Sequence, residues 1–183
     1  MAKVEAYIGI GSNLGDRRDF CSRALGLLGM LPRSALTGYS SAYETEAVGD
    51  VGGPFLNLVA RVETELPVDR LMEILLETER GLGRNLDDRN GPRTIDLDLL
   101  FSGDQVMNKP GQNGVILPHP RLHLRRFVLA PLAELAPNFC HPVLKQTVSA
   151  LLQGVQDSHS VRRLTDPVVP WSREGERCGL PAS

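Results

Sequence analysis

The sequence predicts an α+β fold, a ferredoxin-like βαββαβ core in which helices cover one face of an antiparallel sheet, followed by a C-terminal extension of a short hairpin and helices. Two observations carry this. Four stretches read as strands and two as helices, in the order strand, helix, strand, strand, helix, strand, and glycine- or proline-containing turns punctuate the joins.

Each element has its own signal. Val4, Ala6, Ile8 and Ile10 alternate with Glu5, Tyr7 and Gly9, the period of a strand, and "GSNLGD" then turns the chain. From Asp16 the period becomes helical, with Phe20, Ala24, Leu27, Leu28 and Leu31 on one face and Gly29 and Pro32 at the end. Residues from about 35 to 45 form a second strand, and the glycine-rich stretch Glu46 to Phe55 follows as a mobile loop. "FLNLVARVET" places Leu56, Leu58, Ala60 and Val62 on one face of a third strand. Pro67 opens a second helix whose buried side carries Leu71, Ile74, Leu75, Thr78 and Leu82. "TIDLDLLF" is the fourth strand. A hairpin at "SGDQVMNKP" and short helices around 128–136 and 143–152 complete a domain of residues 1–163, and 164–183, with three prolines and no period, is expected to be a disordered or loosely packed tail.

The 183 residues suffice for one domain with a real core, and 42% hydrophobic with 23% charged residues is ordinary for a globular protein. A net charge of −2 argues against a general nucleic-acid binder, which needs a basic excess to displace counterions. Cys21, Cys140 and Cys178 are far apart and lack metal-ligand spacing, so they read as reduced thiols. There is no signal-peptide pattern and no apolar run of about 18 residues, so no membrane is expected and the localisation reads as cytoplasmic.

The chemistry centres on "GPRTIDLDLL", residues 91–100. Side chains two apart on a strand share a face about 7 Å apart, so Asp96 and Asp98 point one way and Ile95, Leu97, Leu99 and Phe101 the other. The apolar face meets the helices, which leaves the aspartates on the uncovered face. A bare D-x-D is more often just the polar side of a half-wet sheet. Two further features raise the functional reading. Aspartate is depleted in strands, and Arg80, Arg84, Arg89 and Arg93 lie just upstream, with His119, Arg121, His123, Arg125 and Arg126 in a second basic group. Carboxylates are hard ligands suited to Mg²⁺, and arginine forks match phosphate oxygens. No P-loop, G-x-S-x-G or H-E-x-x-H motif is present. Metal and arginine chemistry on a polyphosphate is what remains.

Six segments together are similar to the 6-hydroxymethyl-7,8-dihydropterin pyrophosphokinases of folate biosynthesis: "AYIGIGSNLGD", "ETEAVG", "PFLNLV", "ETERGLGR", "RNGPRTIDLDLL" and "LPHPRLHLRRFVLAPLAELAP", in family order from about Val4 to Leu152. The resemblance implies transfer of pyrophosphate from ATP to the hydroxymethyl oxygen of the dihydropterin, releasing AMP. It implies Asp96 and Asp98 as ligands of two Mg²⁺ ions, with Arg84 and Arg93 acting beside them on the phosphates. For the pterin pocket it implies Thr45, Ala47, Val48, Gly49 and Asn57, with Phe55 and Phe127 sandwiching the ring. For ATP it implies Glu79, Arg84, Arg89, Arg93, Leu99, His119 and Arg125. Asn90, Leu86 and Pro120 depart from residues that some members carry there. The implied partners are the two small substrates, without nucleic acid or membrane, and the implied state is a monomer. Two other classes stay open on the residues alone: a metal-dependent nucleotide hydrolase, and a module binding single-stranded nucleic acid on the open sheet face.

Overall fold

The computed structural model describes residues 2–46, 53–84, 91–109 and 115–172. Its strands are β1 (Val4–Ser12), β2 (Ser34–Tyr39), β3 (Tyr43–Thr45), β4 (Phe55–Thr64), β5 (Asp96–Ser102), β6 (Met107–Lys109), β7 (Val115–Leu117) and β8 (Val161–Arg163). Its helices are α1 (Arg17–Gly29), α2 (Val68–Gly81), α3 (Arg126–Leu135) and α4 (Val148–Gly154). The main sheet runs β5-β1-β4-β3-β8, with β2 also on β4, and β1, β4 and β5 pair antiparallel. β6 and β7 form a separate hairpin.

Helix starts follow their local chemistry. Asp16 caps α1 by accepting the Asp19 N–H at 3.0 Å, and Pro67 immediately precedes α2, where its missing N–H costs nothing. Cys21, Ala24, Leu25 and Leu28 of α1 and Leu71 and Leu75 of α2 are buried against one sheet face, on Ala6, Ile8, Ile10, Leu56, Leu58, Ile95, Leu97 and Leu99. Leu25 is fully enclosed there, whereas Phe20 and Leu27, expected on the apolar face, pack only partly against it.

The opposite face is not left bare. α3 and α4 cover its lower half in a second core of Tyr7, Val59, Leu100, Phe101, Leu129 and Val148, among others. Helices therefore lie on both faces, because the C-terminal extension folds back over the sheet. Phe101 belongs to this second core and not to the helix-facing row with Leu97 and Leu99. The register of β5 on β1 shifts between Tyr7 and Ile8, so Leu100 is an extra residue and Phe101 falls on the same side as Leu100. There Phe101 meets Phe139 at 4.7 Å between ring centroids and Tyr7 edge-on at 6.4 Å.

The single strand expected over 35–45 is two. At the break the Ser40 hydroxyl accepts the Val59 N–H at 3.0 Å, and the Ser41 N–H goes to Glu134 of α3. Side chains take over ladder positions, and the chain shifts by one residue between the Tyr39–Ala60 and Tyr43–Asn57 pairs. The second C-terminal helix starts at Val148, after a turn, rather than near 143.

The tail also differs from expectation over 164–172. Leu164 donates its N–H to Ala42 at 2.8 Å, Val168 is buried in the first core, and the Trp171 N–H bonds the Ser22 carbonyl at 2.9 Å. This segment straps α1, and residues 173–183 lie outside the described residues. The strap fits because Gly26 has no side chain: a Cβ there would lie 2.2 Å from the Trp171 carbonyl oxygen. Gly26→Ala should therefore displace the strap and destabilise the fold by about 1–3 kcal/mol, the usual cost of overpacking. Thermal unfolding and limited proteolysis check this, and an unchanged melting temperature with an uncut C-terminus would contradict it.

Candidate functional site

The cavity lies on the upper half of the second sheet face, above the point where α3 stops covering it, and has a volume of about 680 Å³, within the usual range for small-molecule sites. Its floor is β1. Gly9 pairs with Asp98 on one side and Val59 on the other, and Gly11 with Asp96 and Asn57. Two glycines on the same face of a strand mark a close approach, because any side chain there would fill the space between β4 and β5. A Cβ on Gly11 would come within 3.0 Å of Asn57 Oδ1.

On the β5 side stand the carboxylates. Asp96 Oδ2 accepts Arg93 Nη1 at 2.6 Å, and Asp96 Oδ1 lies 2.7 Å from Arg84 Nη1. Arg93 is itself fixed by its backbone. Its N–H donates to Asn13 Oδ1 at 2.7 Å, and its carbonyl accepts the Asn13 N–H at 3.0 Å. Arg84 follows α2 and is anchored by a charge-assisted hydrogen bond to Glu79 Oε1. The same Glu79 oxygen accepts the Leu97 N–H at 2.6 Å, while Oε2 is buried without a hydrogen-bond partner among the described residues. Burial pushes the Glu79 carboxyl up to about 7, against the pull of the Leu97 N–H and Arg84. Glu79 thus braces the end of α2 to the start of β5 and aims Arg84 at Asp96.

Asp98 is the other carboxyl. Burial and the neighbouring charge of Asp96 raise its pKa, against Arg125, Arg93 and Arg84, yet its side chain remains 38% exposed. His119 is held beside it by its N–H bond to the Leu100 carbonyl, at 3.0 Å, which leaves Nε2 3.9 Å from Asp98 Oδ1. Burial and the charges of Arg125 and Arg121 push the imidazole down to about 4. At neutral pH the contact is therefore between a neutral ring and a carboxyl, not an ion pair.

On the β4 side, Asn57 donates Nδ2 to Thr45 Oγ1 at 2.7 Å and is nearly buried, and Phe55 stands at the mouth of the strand. Phe127 enters from the first turn of α3 with the Arg125 guanidinium 5.5 Å from its ring centroid, and burial together with Arg121 lowers the Arg125 pKa. Thr45, Phe55, Asn57, Phe127 and Arg125 all line the cavity with Arg93, Asp96 and Asp98.

The structure thus joins most of the residues expected from the sequence. Leu99 is an exception: its side chain is buried in the first core under the helices, on the opposite face from the aspartates. Glu79 is enclosed behind Arg84 and does not line the cavity. Ala47, Val48, Gly49 and Arg89 lie outside the described residues. Sequence reasoning missed Asn13, the clamp on Arg93, and the floor role of Gly9 and Gly11, although glycines at alternate strand positions were the available signal. It also missed the wall formed by Gln156 to His159, for which no motif gives a signal.

Among the described residues, no group of three or more His, Cys, Asp or Glu side chains forms a complete metal cage. Asp96 and Asp98 instead offer oxygen donors from one strand face. That set suits a hard divalent cation that keeps water and phosphate ligands, and such an ion would offset the repulsion seen at Asp98.

The His119 environment makes a direct prediction. Its imidazole should stay neutral in the ligand-free protein down to about pH 4, as read by NMR titration of its ring protons, and a midpoint near 6.5 would contradict this. The unfolded ring takes up its proton first, so this residue's effect is to lower stability as pH falls from 6.5 towards 4.

Comparison with known proteins follows the same residues. The family model of 7,8-dihydro-6-hydroxymethylpterin-pyrophosphokinase (HPPK) matches residues 7–137. A 2-amino-4-hydroxy-6-hydroxymethyldihydropteridine pyrophosphokinase of Bacillus subtilis is 42% identical over 147 residues, covering 79% of this chain and 83% of the relative. One of the same name from Methylorubrum extorquens is 39% identical over 137 residues, covering 74% and 84%. The fold resembles a solved HPPK-DHPS in complex with substrates, with a TM-score of 0.66 at 13% identity, over 84% of this chain. The chain spans only 43% of that longer protein. On the family model and these identities, the chain belongs to the 7,8-dihydro-6-hydroxymethylpterin-pyrophosphokinase family.

Proposed function

We propose that this chain transfers the pyrophosphoryl group of ATP to the hydroxymethyl oxygen of 6-hydroxymethyl-7,8-dihydropterin, giving the pterin diphosphate and AMP, a step in tetrahydrofolate biosynthesis. As a member of its family it is a pyrophosphokinase, an ATP-dependent diphosphotransferase. The observation that carries the residue-level reading is the composition of one cavity: carboxylates and arginines at the β5 end, and two aromatic rings with a buried amide at the β4 end. One end suits a polyphosphate, and the other suits a flat heterocycle.

Asp96 and Asp98 would hold Mg²⁺, two ions in the fullest form of the reading, supplying charge neutralisation across the phosphates and the acceptor hydroxyl. Arg93 and Arg84 stand ready to exchange Asp96 for phosphate oxygens, with Glu79 keeping Arg84 in place. Arg125 and His119 flank Asp98 from the nucleotide side, and the neutral His119 ring can donate or accept without adding charge. Phe55 and Phe127 offer ring faces to the pterin. Asn57, aimed by Thr45, offers its amide to the pterin edge, and Ala47, Val48 and Gly49 complete that pocket in this reading, with Arg89 on the phosphates. Transfer of this kind asks a protein mainly for alignment and charge stabilisation, which rigid strands supply.

The strand order β5-β1-β4, with β2 and β3 beyond β4, supports a ferredoxin-like core within a catalytic unit of residues 1–163. We read the protein as a cytoplasmic monomer without nucleic-acid partners. The net charge of −2 supports the last point, and among the described residues no helix is long and apolar enough to cross a membrane.

The test is incubation with ATP and Mg²⁺, with and without the dihydropterin. AMP should form only with both substrates, and equal AMP without the pterin would indicate a hydrolase instead. Asp98→Asn and Asp96→Asn should each keep the fold, read by circular dichroism, and lower kcat by at least about 10³-fold, since ion placement carries the charge stabilisation. Near-normal turnover would contradict the metal assignment. Asn57→Ala should act differently, raising KM for the pterin by roughly 5- to 150-fold, the cost of leaving a buried polar partner unsatisfied, with little change in KM for ATP. Steady-state kinetics in both substrates separates these outcomes.

A further inference from the structure

The cavity has a wall that the reaction as described does not use. Gln156 to His159 line it beside Phe127, and this segment lies beyond residues 7–137, where the family model matches. Its placement is over-determined. Asp157 Oδ2 accepts the Arg126 N–H at 2.9 Å and so caps α3, whose own N-cap, Arg125, gives no side-chain bond. The Arg126 side chain returns bonds to the Asp157 carbonyl at 3.2 Å and the Val155 carbonyl at 3.4 Å. A few residues on, β8 pairs with β3, Val161 opposite Thr45, and the Ser160 N–H approaches Glu46 Oε2 at 3.5 Å. The segment therefore joins the two elements that carry Phe127 and Thr45.

Within it, His159 is aimed. Its Nδ1 lies 2.6 Å from Asp157 Oδ1, which also accepts the His159 backbone N–H at 3.1 Å. Burial opposes the charge on Asp157, but the bonds from His159 and the Arg126 N–H hold its carboxyl below the ordinary value, so it stays an acceptor. Nδ1 then carries the bonded proton. Nε2 has no hydrogen-bond partner among the described residues, and the side chain is 39% exposed where it lines the cavity. A carboxylate that fixes one ring nitrogen and leaves the other without a partner among the described residues, on a residue that lines a ligand space, is a positioning arrangement.

We propose that His159, oriented by Asp157, contacts the heterocyclic acceptor directly and helps determine its specificity, accepting a hydrogen bond from an N–H on the ring's polar edge through Nε2. The inference rests on the proposed pyrophosphoryl transfer and concerns only the acceptor end of the cavity. A His159 that served only to tie the loop would affect stability and both substrates alike. One that touches the acceptor affects the acceptor alone.

The experiment uses the full chain. His159→Ala should raise KM for the dihydropterin by about tenfold while KM for ATP and kcat change less than twofold, and His159→Gln, whose amide reaches the Nε2 position, should recover most of the loss. In the unmodified chain, the His159 ring signals should shift on adding the dihydropterin and not on adding ATP with Mg²⁺. If the wild-type chain is active and His159→Ala leaves both KM values unchanged, or if the ring signals ignore the dihydropterin, this inference is overturned and the proposed function stands. A wild-type chain that transfers nothing to the dihydropterin overturns the proposed function and this inference with it.

Discussion

Everything at the site depends on the pairing of β1 with β4 on one side and β5 on the other. That pairing sets Gly9 and Gly11 opposite Asp98 and Asp96, and Gly11 opposite Asn57 as well. Had either glycine carried a large side chain, the floor would be filled and the carboxylates would face a wall. The other face of the same strand, Ala6, Ile8 and Ile10, is solid core under α1 and α2. One strand therefore does two opposed things, and the pleat keeps them apart.

The lower half of the open face shows why the cavity stops where it does. Beside Gly9 stands Val59, and below it come Tyr7 and Phe101, which are large and apolar and pack with α3 and α4. The extra residue at Leu100 turns Phe101 onto this side and so adds a ring to the second core at the lower boundary of the site. α3 then brings Phe127 and Arg125 to the cavity rim from a helix whose own packing is settled by Leu129 and Leu132. Rigid burial below positions exposed chemistry above.

Charge at the β5 end is arranged in layers. Glu79, wholly enclosed, holds Arg84, and Arg84 with Arg93 holds Asp96. Asp98, two residues along the strand, is satisfied less well, and burial, followed by the charge of Asp96 on the same face, raises its pKa. A buried acid in contact with an arginine is costly unless its other interactions are in place, and here the Leu97 N–H supplies one. The Glu79 oxygen that has no partner among the described residues is the remaining cost of that arrangement.

How much of this was legible in the sequence divides along a physical line. The strand period alone put Asp96 and Asp98 on one face, the helical periods found the apolar sides of α1 and α2, and the six motif segments pointed to the family. These are local signals, set by backbone geometry over a few residues. Phe101 was misplaced because a one-residue bulge resets the period and depends on how β5 meets β1. The break at Ser40, the strap of residues 164–172 on α1 and the bond from Asp157 to α3 each need a partner far along the chain, such as Val59, Gly26 or Arg126. No local pattern names that partner. By itself the sequence determined the core strands β1, β4 and β5 and the helices α1 and α2, the carboxylate pair and the family. Only the tertiary structure decided which side chains close the cavity, because closure is a matter of long-range contact and the space left around each glycine.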